Sequence, residues 1–306
     1  MRLAVVPIPS TRPDGSLFDS RNLPALLDFA RMAEELGVDD LAMSEHVVMA
    51  HRPSKYGPGS APHRFDEPWP EPLTTLAAMA AVTRRVRVIS TIVIAPLRPA
   101  VLLAKTAATV HALSGGRFVL GVSTSWHAEE YAALGVPFAD RGARLDDTIG
   151  ACRALWSSTP ASFTSPSVSF SDLICVPRPA HADDIPIWFG AAFTPRMVRR
   201  VVQFGHGWMP FVGPEPRPLE MMANGVAALR QAMLRAGRDP STLEVSALLL
   251  PRGRDLSTAI AEDIPAFQSA GVTHLTIGMP PGVDDLGATI KRVTEAKNAV
   301  ESALGS

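Results

Sequence analysis

The chain has 306 residues, 46% of them hydrophobic, which is ample for a large core. A formal net charge of −1 with no basic stripe speaks against a nucleic-acid binder, and the two cysteines, Cys152 and Cys175, lie outside any CxxC or Cys/His cluster, so neither a disulfide framework nor a metal site is expected. The apolar run inside Met1–Pro9 is broken by prolines and too short for a signal segment or a membrane span, so a cytoplasmic protein forming one domain over residues 1–306 is expected.

Short apolar runs alternate with longer segments of helical period. Leu3–Ile8 reads as a strand, and Leu23, Leu26, Leu27, Ala30 and Ala33 recur at helical spacing up to Gly37. Asp40–Ser44, Val86–Ala95 and Arg117–Ser123 read as the next strands, with helices at Leu73–Val82 and Pro99–Leu113 between them. A fourth helix carries Leu145, Ile149, Cys152 and Trp156 on one face. Four further pairs follow: Ile185–Ala191 with Pro195–Phe204, Gly207–Val212 with Leu219–Ala236, Leu243–Leu250 with Ser257–Ser269, and His274–Met279 with Asp285–Leu304. The strands are near-continuous apolar runs, as parallel strands covered on both faces require. Eight units and no GxGxxG after the first strand favour an α/β fold of the (β/α)8 TIM-barrel type over an open doubly wound sheet. Two segments interrupt the rhythm. The Pro- and Gly-rich stretch His51–Pro70 is an insertion after the second strand, at the C-terminal mouth, and Thr159–Pro179, with Phe163 and Phe170 around turn residues, predicts a small hairpin before the fifth.

In such a barrel, chemistry sits at the C-terminal ends of the strands. The second strand ends in Ser44-Glu45-His46, whose alternation lets one side chain face the mouth while the other anchors the strand. A histidine there either handles a proton near neutral pH or bonds a loop carbonyl. Ser90 and Thr91 interrupt the apolar third strand, either as ordinary strand residues or where a planar ligand approaches. The fourth strand ends in Ser123-Thr124-Ser125-Trp126-His127, a polar floor beside an aromatic wall. The fifth ends in Ala191-Ala192-Phe193-Thr194 just before a helix, whose N-terminus favours an anion and for which Thr194 is a cap.

Taken together, Ser44–Met49 (SEHVVM), Glu71–Arg84, Pro96–Ala104, Leu113–Ser123 (LSGGRFVLGVS), Glu130–Gly142 (EYAALGVPFADRG), Pro186–Gly190 (PIWFG) and Gly205–Pro210 (GHGWMP) resemble the luciferase-like flavin and F420 oxidoreductase superfamily, most of all its F420-dependent branch. The resemblance implies that Glu45 and His46, the candidate catalytic residues, lie beside the reactive ring, with His46 as an acid/base or ring-contacting residue. It implies a bulge with a non-proline cis peptide at Thr91–Ile92, next to Ser90, bracing that ring. It places Thr124 and Ser125 near the cofactor tail, and Ala192, Phe193 and Thr194 at the phosphate. Trp126, His127 and Trp208 are expected in the substrate pocket, together with residues of the 51–70 loop, where Arg52, Lys55 and Arg64 would meet an acidic tail. Two departures stand out: Ser123-Thr124-Ser125 replaces the commoner Gly-x-Gly, and Ala191-Ala192 replaces Gly-Gly.

The implied function is hydride transfer between coenzyme F420 and a small organic substrate. The alternatives are an FMN-dependent monooxygenase fed by a separate reductase, and a barrel that binds such a cofactor without catalysis. A homodimer and a partner flavin or F420 reductase accompany these readings; nucleic-acid and membrane partners do not.

Overall fold

In the computed structural model, residues 1–7, 23–51, 69–210, 218–249, 253–279 and 286–305 are described. The strands are β1 (Arg2–Pro7), β2 (Asp40–Met43), β3 (Arg87–Ser90), β4 (Val93–Ile94), β5 (Phe118–Ser123), β6 (Ala161–Thr164), β7 (Ser169–Leu173), β8 (Ile187–Ala191), β9 (Gly207–Pro210), β10 (Glu244–Leu249) and β11 (His274–Met279). The helices are α1 (Ala25–Glu35), α2 (Pro72–Val82), α3 (Ala100–Leu113), α4 (Ala128–Ala133), α5 (Arg141–Ser157), α6 (Pro195–Phe204), α7 (Pro218–Arg235), α8 (Leu256–Ser269) and α9 (Leu286–Gly305).

With β3 and β4 counted as one interrupted strand, eight parallel strands close in the order β1, β2, β3/β4, β5, β8, β9, β10, β11 and back to β1. The chain is a closed (β/α)8 barrel. The long third strand expected over Val86–Ala95 is cut in two where the Thr91–Ile92 peptide is cis. The hairpin expected before the fifth barrel strand is β6–β7, with Phe163 opposite Phe170. Helix α4 was not signalled by the sequence, because six residues are too few to establish a helical period. The 52–68 portion of the insertion after β2, with Arg52, Lys55 and Arg64, lies outside the described residues. Among the described residues no helix is long and apolar enough to cross a membrane.

Strand alternation divides the core in two. Val6, Ala42, Ile89, Val119 and Trp188, with Met209 against them, fill the barrel interior. The larger shell between strands and helices holds residues such as Val5, Leu41, Val88, Phe118, Leu120 and Phe189. Each fully buried aliphatic side chain contributes about 1.5–3 kcal/mol.

The N-terminal end of the barrel is closed by charge. Arg2, Asp40, Arg87, Glu244 and His274 are each the first residue of a strand. Arg2 and Arg87 both reach Asp40 Oδ1 at 2.8 Å, and Arg87 also meets Glu244 at 2.9 Å. Trp188 Nε1 donates to Glu244 at 3.0 Å. Burial pushes the Asp40 carboxyl up, but the two guanidinium groups outweigh it and hold it below the ordinary range. His274 is the opposite case: burial and the neighbouring arginines outweigh Asp40 and push it down to about 3. It is neutral, with Nε2 accepting from Arg87 at 2.6 Å and Nδ1 turned to Thr273 Oγ1 at 2.7 Å.

A depressed folded pKa means that the unfolded chain binds the proton more readily, so this stability is complete above about pH 6.5 and is lost as pH falls towards 3. His206, pushed down to about 4 by burial, adds to the same slope. Thermal unfolding between pH 7 and 4 is therefore expected to show a falling midpoint, with a smaller slope in His274→Gln. An unchanged slope in that variant would remove His274 from the account.

Candidate active site

The C-terminal ends of β2, β3/β4, β5 and β8 meet at the barrel mouth. After β2, alternation separates the two polar side chains. Glu45 is 5% exposed. Its carboxylate accepts the backbone N–H of Ile94 and pairs with Arg98, whose guanidinium also meets Glu71 at 2.6 Å. Burial pushes the Glu45 carboxyl up, against the pull of Arg98 and the Ile94 N–H. For Glu71 burial acts the same way, but the bonds from Thr74 and the Arg98 charge outweigh it, and its pKa lies below the usual range. Glu45, a candidate catalytic residue by sequence, is thus engaged in tying the β2 loop to β4.

His46 is the other member. It is half-buried, with Nδ1 3.3 Å from Glu130 Oε1. Its ring lies edge-on to Trp69, at 4.8 Å between centroids, and to Trp126, at 5.8 Å. Glu130 is fully buried, and the same Oε1 accepts the Val47 N–H at 2.8 Å. A carboxylate fixed by a backbone donor holds the imidazole in one orientation and leaves Nε2 for the mouth. Glu130 and Trp69 were not among the expected site residues. Glu130 opens a stretch that carries the family resemblance, but its link to His46 spans 84 residues of sequence, which no local pattern encodes.

The loop after β5 is tightly held. Tyr131 donates its hydroxyl to the Thr124 carbonyl, and burial pushes that phenol up, so it stays a donor. Ser125 has φ 55, in the left-handed region that favours glycine. This is one of the positions where a serine replaces the commoner glycine, and its hydroxyl lies 3.4 Å from Glu130 Oε2. Thr124, Ser125 and Trp126 are half-buried, whereas His127, expected in the pocket wall, is completely buried behind Trp126, with Nε2 accepting the Ala50 N–H at 3.3 Å.

Under the mouth, Ser90 is also buried rather than open to a ligand. Its hydroxyl accepts from the Gly121 N–H and donates to the Gly121 carbonyl, both at 2.9 Å, locking β3 to β5. The two backbones come so close that a Cβ on Gly121 would sit 1.9 Å from the Ser90 carbonyl oxygen. Thr91 and Ile92, on either side of the cis bond, are half-buried, and a Cβ on Gly190 would meet the Ile92 side chain at 2.7 Å. Small residues therefore keep the ledge at Thr91–Ile92 low.

At the end of β8, Ala192, Phe193 and Thr194 are exposed, and Thr194 Oγ1 caps α6 by accepting the Met197 N–H at 3.2 Å. Neither Ala191 nor Ala192 has a positive φ, so the missing glycines are not required there. Arg196 and Arg200 both turn to Asp146 and fasten α6 to α5. Trp208 corrects another expectation. Met209 takes the interior position on β9, so alternation sends Trp208 outwards, 2% exposed, against Gly225 of α7, with Nε1 donating to the Ala191 carbonyl at 2.9 Å. It braces the loop after β8 from behind and does not line the mouth.

The chain is thus a closed parallel barrel, interrupted at its third strand and carrying a carboxylate-held histidine at the C-terminal mouth. The family model described as luciferase-like monooxygenase matches residues 5–296, and the chain is a member of that family. An uncharacterised Mycobacterium tuberculosis protein, Rv0953c, is 28% identical over 273 residues, covering 86% of this chain and 90% of the relative. Among solved structures, an F420-dependent secondary alcohol dehydrogenase in complex with an F420–acetone adduct superposes with a TM-score of 0.73 at 17% identity, over 98% of this chain and 99% of that one. The oxygenating constituent of 3,6-diketocamphane monooxygenase from Pseudomonas putida, in complex with FMN, gives 0.74 at 15% identity, over 99% and 98%. At these identities the two structures share the fold.

Proposed function

We propose that this protein is an F420-dependent oxidoreductase that moves a hydride between the coenzyme and an organic substrate, with His46 as its acid/base group. The observation that carries the reading is the placement of His46: an imidazole at the mouth, set by the buried Glu130 and walled by Trp69 and Trp126. Oxidising an alcohol-type carbon by hydride loss also releases a proton, and a fixed imidazole is suited to take it.

The residues present fit a planar ring with a phosphate-bearing tail. The low ledge at Thr91–Ile92 would back the ring, and Trp126 would shield it from water. The exposed Ala192–Thr194 segment at the N-terminus of α6 would meet the phosphate, and Thr124 and Ser125 would lie along the tail. When bound, F420 supplies a two-electron hydride donor or acceptor. His46 would hold or move the substrate proton at Nε2, Glu130 would keep the ring in register, and Glu45 would hold β4 under the ledge. A separate reductase or dehydrogenase would return the coenzyme to its starting state.

The test is titration of the purified chain with F420 and FMN, each oxidised and reduced, followed by cofactor absorbance or fluorescence. F420 is expected to bind at micromolar or tighter Kd, with FMN at least about tenfold weaker, a gap of about 1.4 kcal/mol. The reverse preference, with oxygen uptake on reduced FMN, would replace this reading by a two-component monooxygenase. Binding of neither would overturn both.

A further inference from the structure

His46, His127 and Glu130 come from two loops at the mouth, and one donor atom from each lies within 4.8 Å of the others. His46 Nδ1 is 3.3 Å from Glu130 Oε1, and His127 Nδ1 is 3.5 Å from Glu130 Oε2. Tetrahedral zinc with bonds of about 2.0–2.1 Å spaces its donors by roughly 3.3–3.4 Å; each imidazole stands near that spacing from one oxygen of Glu130, and the three donors, within 4.8 Å of one another, would draw together around an ion.

A second observation points the same way. His127 is completely buried, and its Nδ1 has no hydrogen-bond partner among the described residues although it faces the Glu130 carboxylate. A buried polar atom left in that state is uncommon and costly. Its other nitrogen, Nε2, is 3.5 Å from Glu129 Oε2. An imidazole that ligates through Nδ1 carries its proton on Nε2, so metal binding would exchange the Ala50 N–H that Nε2 otherwise accepts for a bond to Glu129, a carboxylate placed as the usual outer partner of a metal-bound histidine. Glu130 is already fixed by the Val47 N–H, so it needs no reorganisation to act as a ligand.

We propose that His46, His127 and Glu130 form a site for a divalent transition metal of the zinc class, with His127 and Glu130 as its buried base and His46 closing it from the mouth side. Two imidazoles and one carboxylate suit zinc and its borderline neighbours, and are poor ligands for magnesium or calcium. The site does not depend on the cofactor reading. It shares His46 with it, so an ion held there withdraws from proton transfer the imidazole that the proposed reaction uses.

The test uses the full chain without an affinity tag, stripped with a chelator. Zinc is titrated in competition with a chromophoric chelator. Cobalt is followed by its visible absorption and by quenching of tryptophan emission, since Trp126 lies 5.1 Å from the His127 ring and Trp69 4.8 Å from that of His46. One ion per chain is expected at micromolar or tighter affinity, weakened at least about 100-fold in His46→Ala and in His127→Leu, an apolar replacement of similar size. Glu129→Gln is expected to weaken it about tenfold, and His111→Ala to leave it unchanged. If the His127→Leu protein does not fold, His46→Ala carries the test, and equal affinity in that variant and the wild type overturns the site. Absence of binding at micromolar zinc, or equal affinity in the wild type and His127→Leu, overturns the site. No cofactor is present in the assay, so its failure leaves the F420 reading standing, and failure of F420 binding leaves the metal site standing.

Discussion

His46→Ala is expected to lower kcat with F420 and an accepted substrate by about 10²–10⁴-fold, the usual contribution of a positioned general acid or base. The Kd for the coenzyme should change by only a few-fold, because the ledge at Thr91–Ile92, the Thr124–Ser125 loop and the N-terminus of α6 are untouched. That split separates a proton-handling histidine from one that merely packs against a ring, for which Kd would rise and kcat would hold. The imidazole does not act alone: Glu130 Oε1 faces Nδ1 at 3.3 Å and so favours the tautomer with Nε2 available to the mouth. The measurement is steady-state kinetics with a parallel fluorescence titration. A variant with wild-type kcat would remove His46 from the chemistry.

The largest effect on stability is expected from Glu45→Ala. The substitution removes the partner of the Ile94 N–H and one of the two carboxylates that hold Arg98. Breaking a buried ion pair by deleting one member typically costs 3–5 kcal/mol, because the other charge is left without compensation. Here Glu71 remains beside Arg98, so about 3 kcal/mol is expected, with a fall of several degrees in the unfolding midpoint. Glu45→Gln, which keeps an acceptor for the Ile94 N–H, should lose less. The pH dependence has a definite sign. The folded carboxyl is pushed up by burial, so its contribution is greatest below the unfolded carboxylate value and shrinks as pH rises through the folded one. The deficit of Glu45→Gln relative to the wild type should therefore be larger at mildly acidic pH than at neutral pH. Equal stability of the wild type and Glu45→Ala would mean that the β2–β4 tie carries no load.

The sequence made the fold legible because the barrel's periodicity is local. Strands covered on both faces are apolar runs, the helices between them repeat every 3.6 residues, and eight such units in 306 residues leave little choice of architecture. The elements that escaped were those whose cause is not local. Six residues of α4 leave no period to read, and the break between β3 and β4 follows a cis peptide that the residue types alone do not signal, although the family resemblance does.

The site was legible in position more than in role. Sequence alone put Glu45 and His46 at a strand end and capped α6 with Thr194, because strand alternation and capping act over two or three residues. It misplaced Trp208 and His127, whose types suit a pocket wall. Whether a tryptophan on a strand faces the lumen or the helices depends on which neighbour fills the lumen, and Met209 does. Only the tertiary structure brought Glu130 to His46 across 84 residues, buried Ser90 in a strand-to-strand bond and left the His127 Nδ1 facing a carboxylate. Side-chain direction and pairing are fixed by long-range packing, and packing is settled only when the barrel closes.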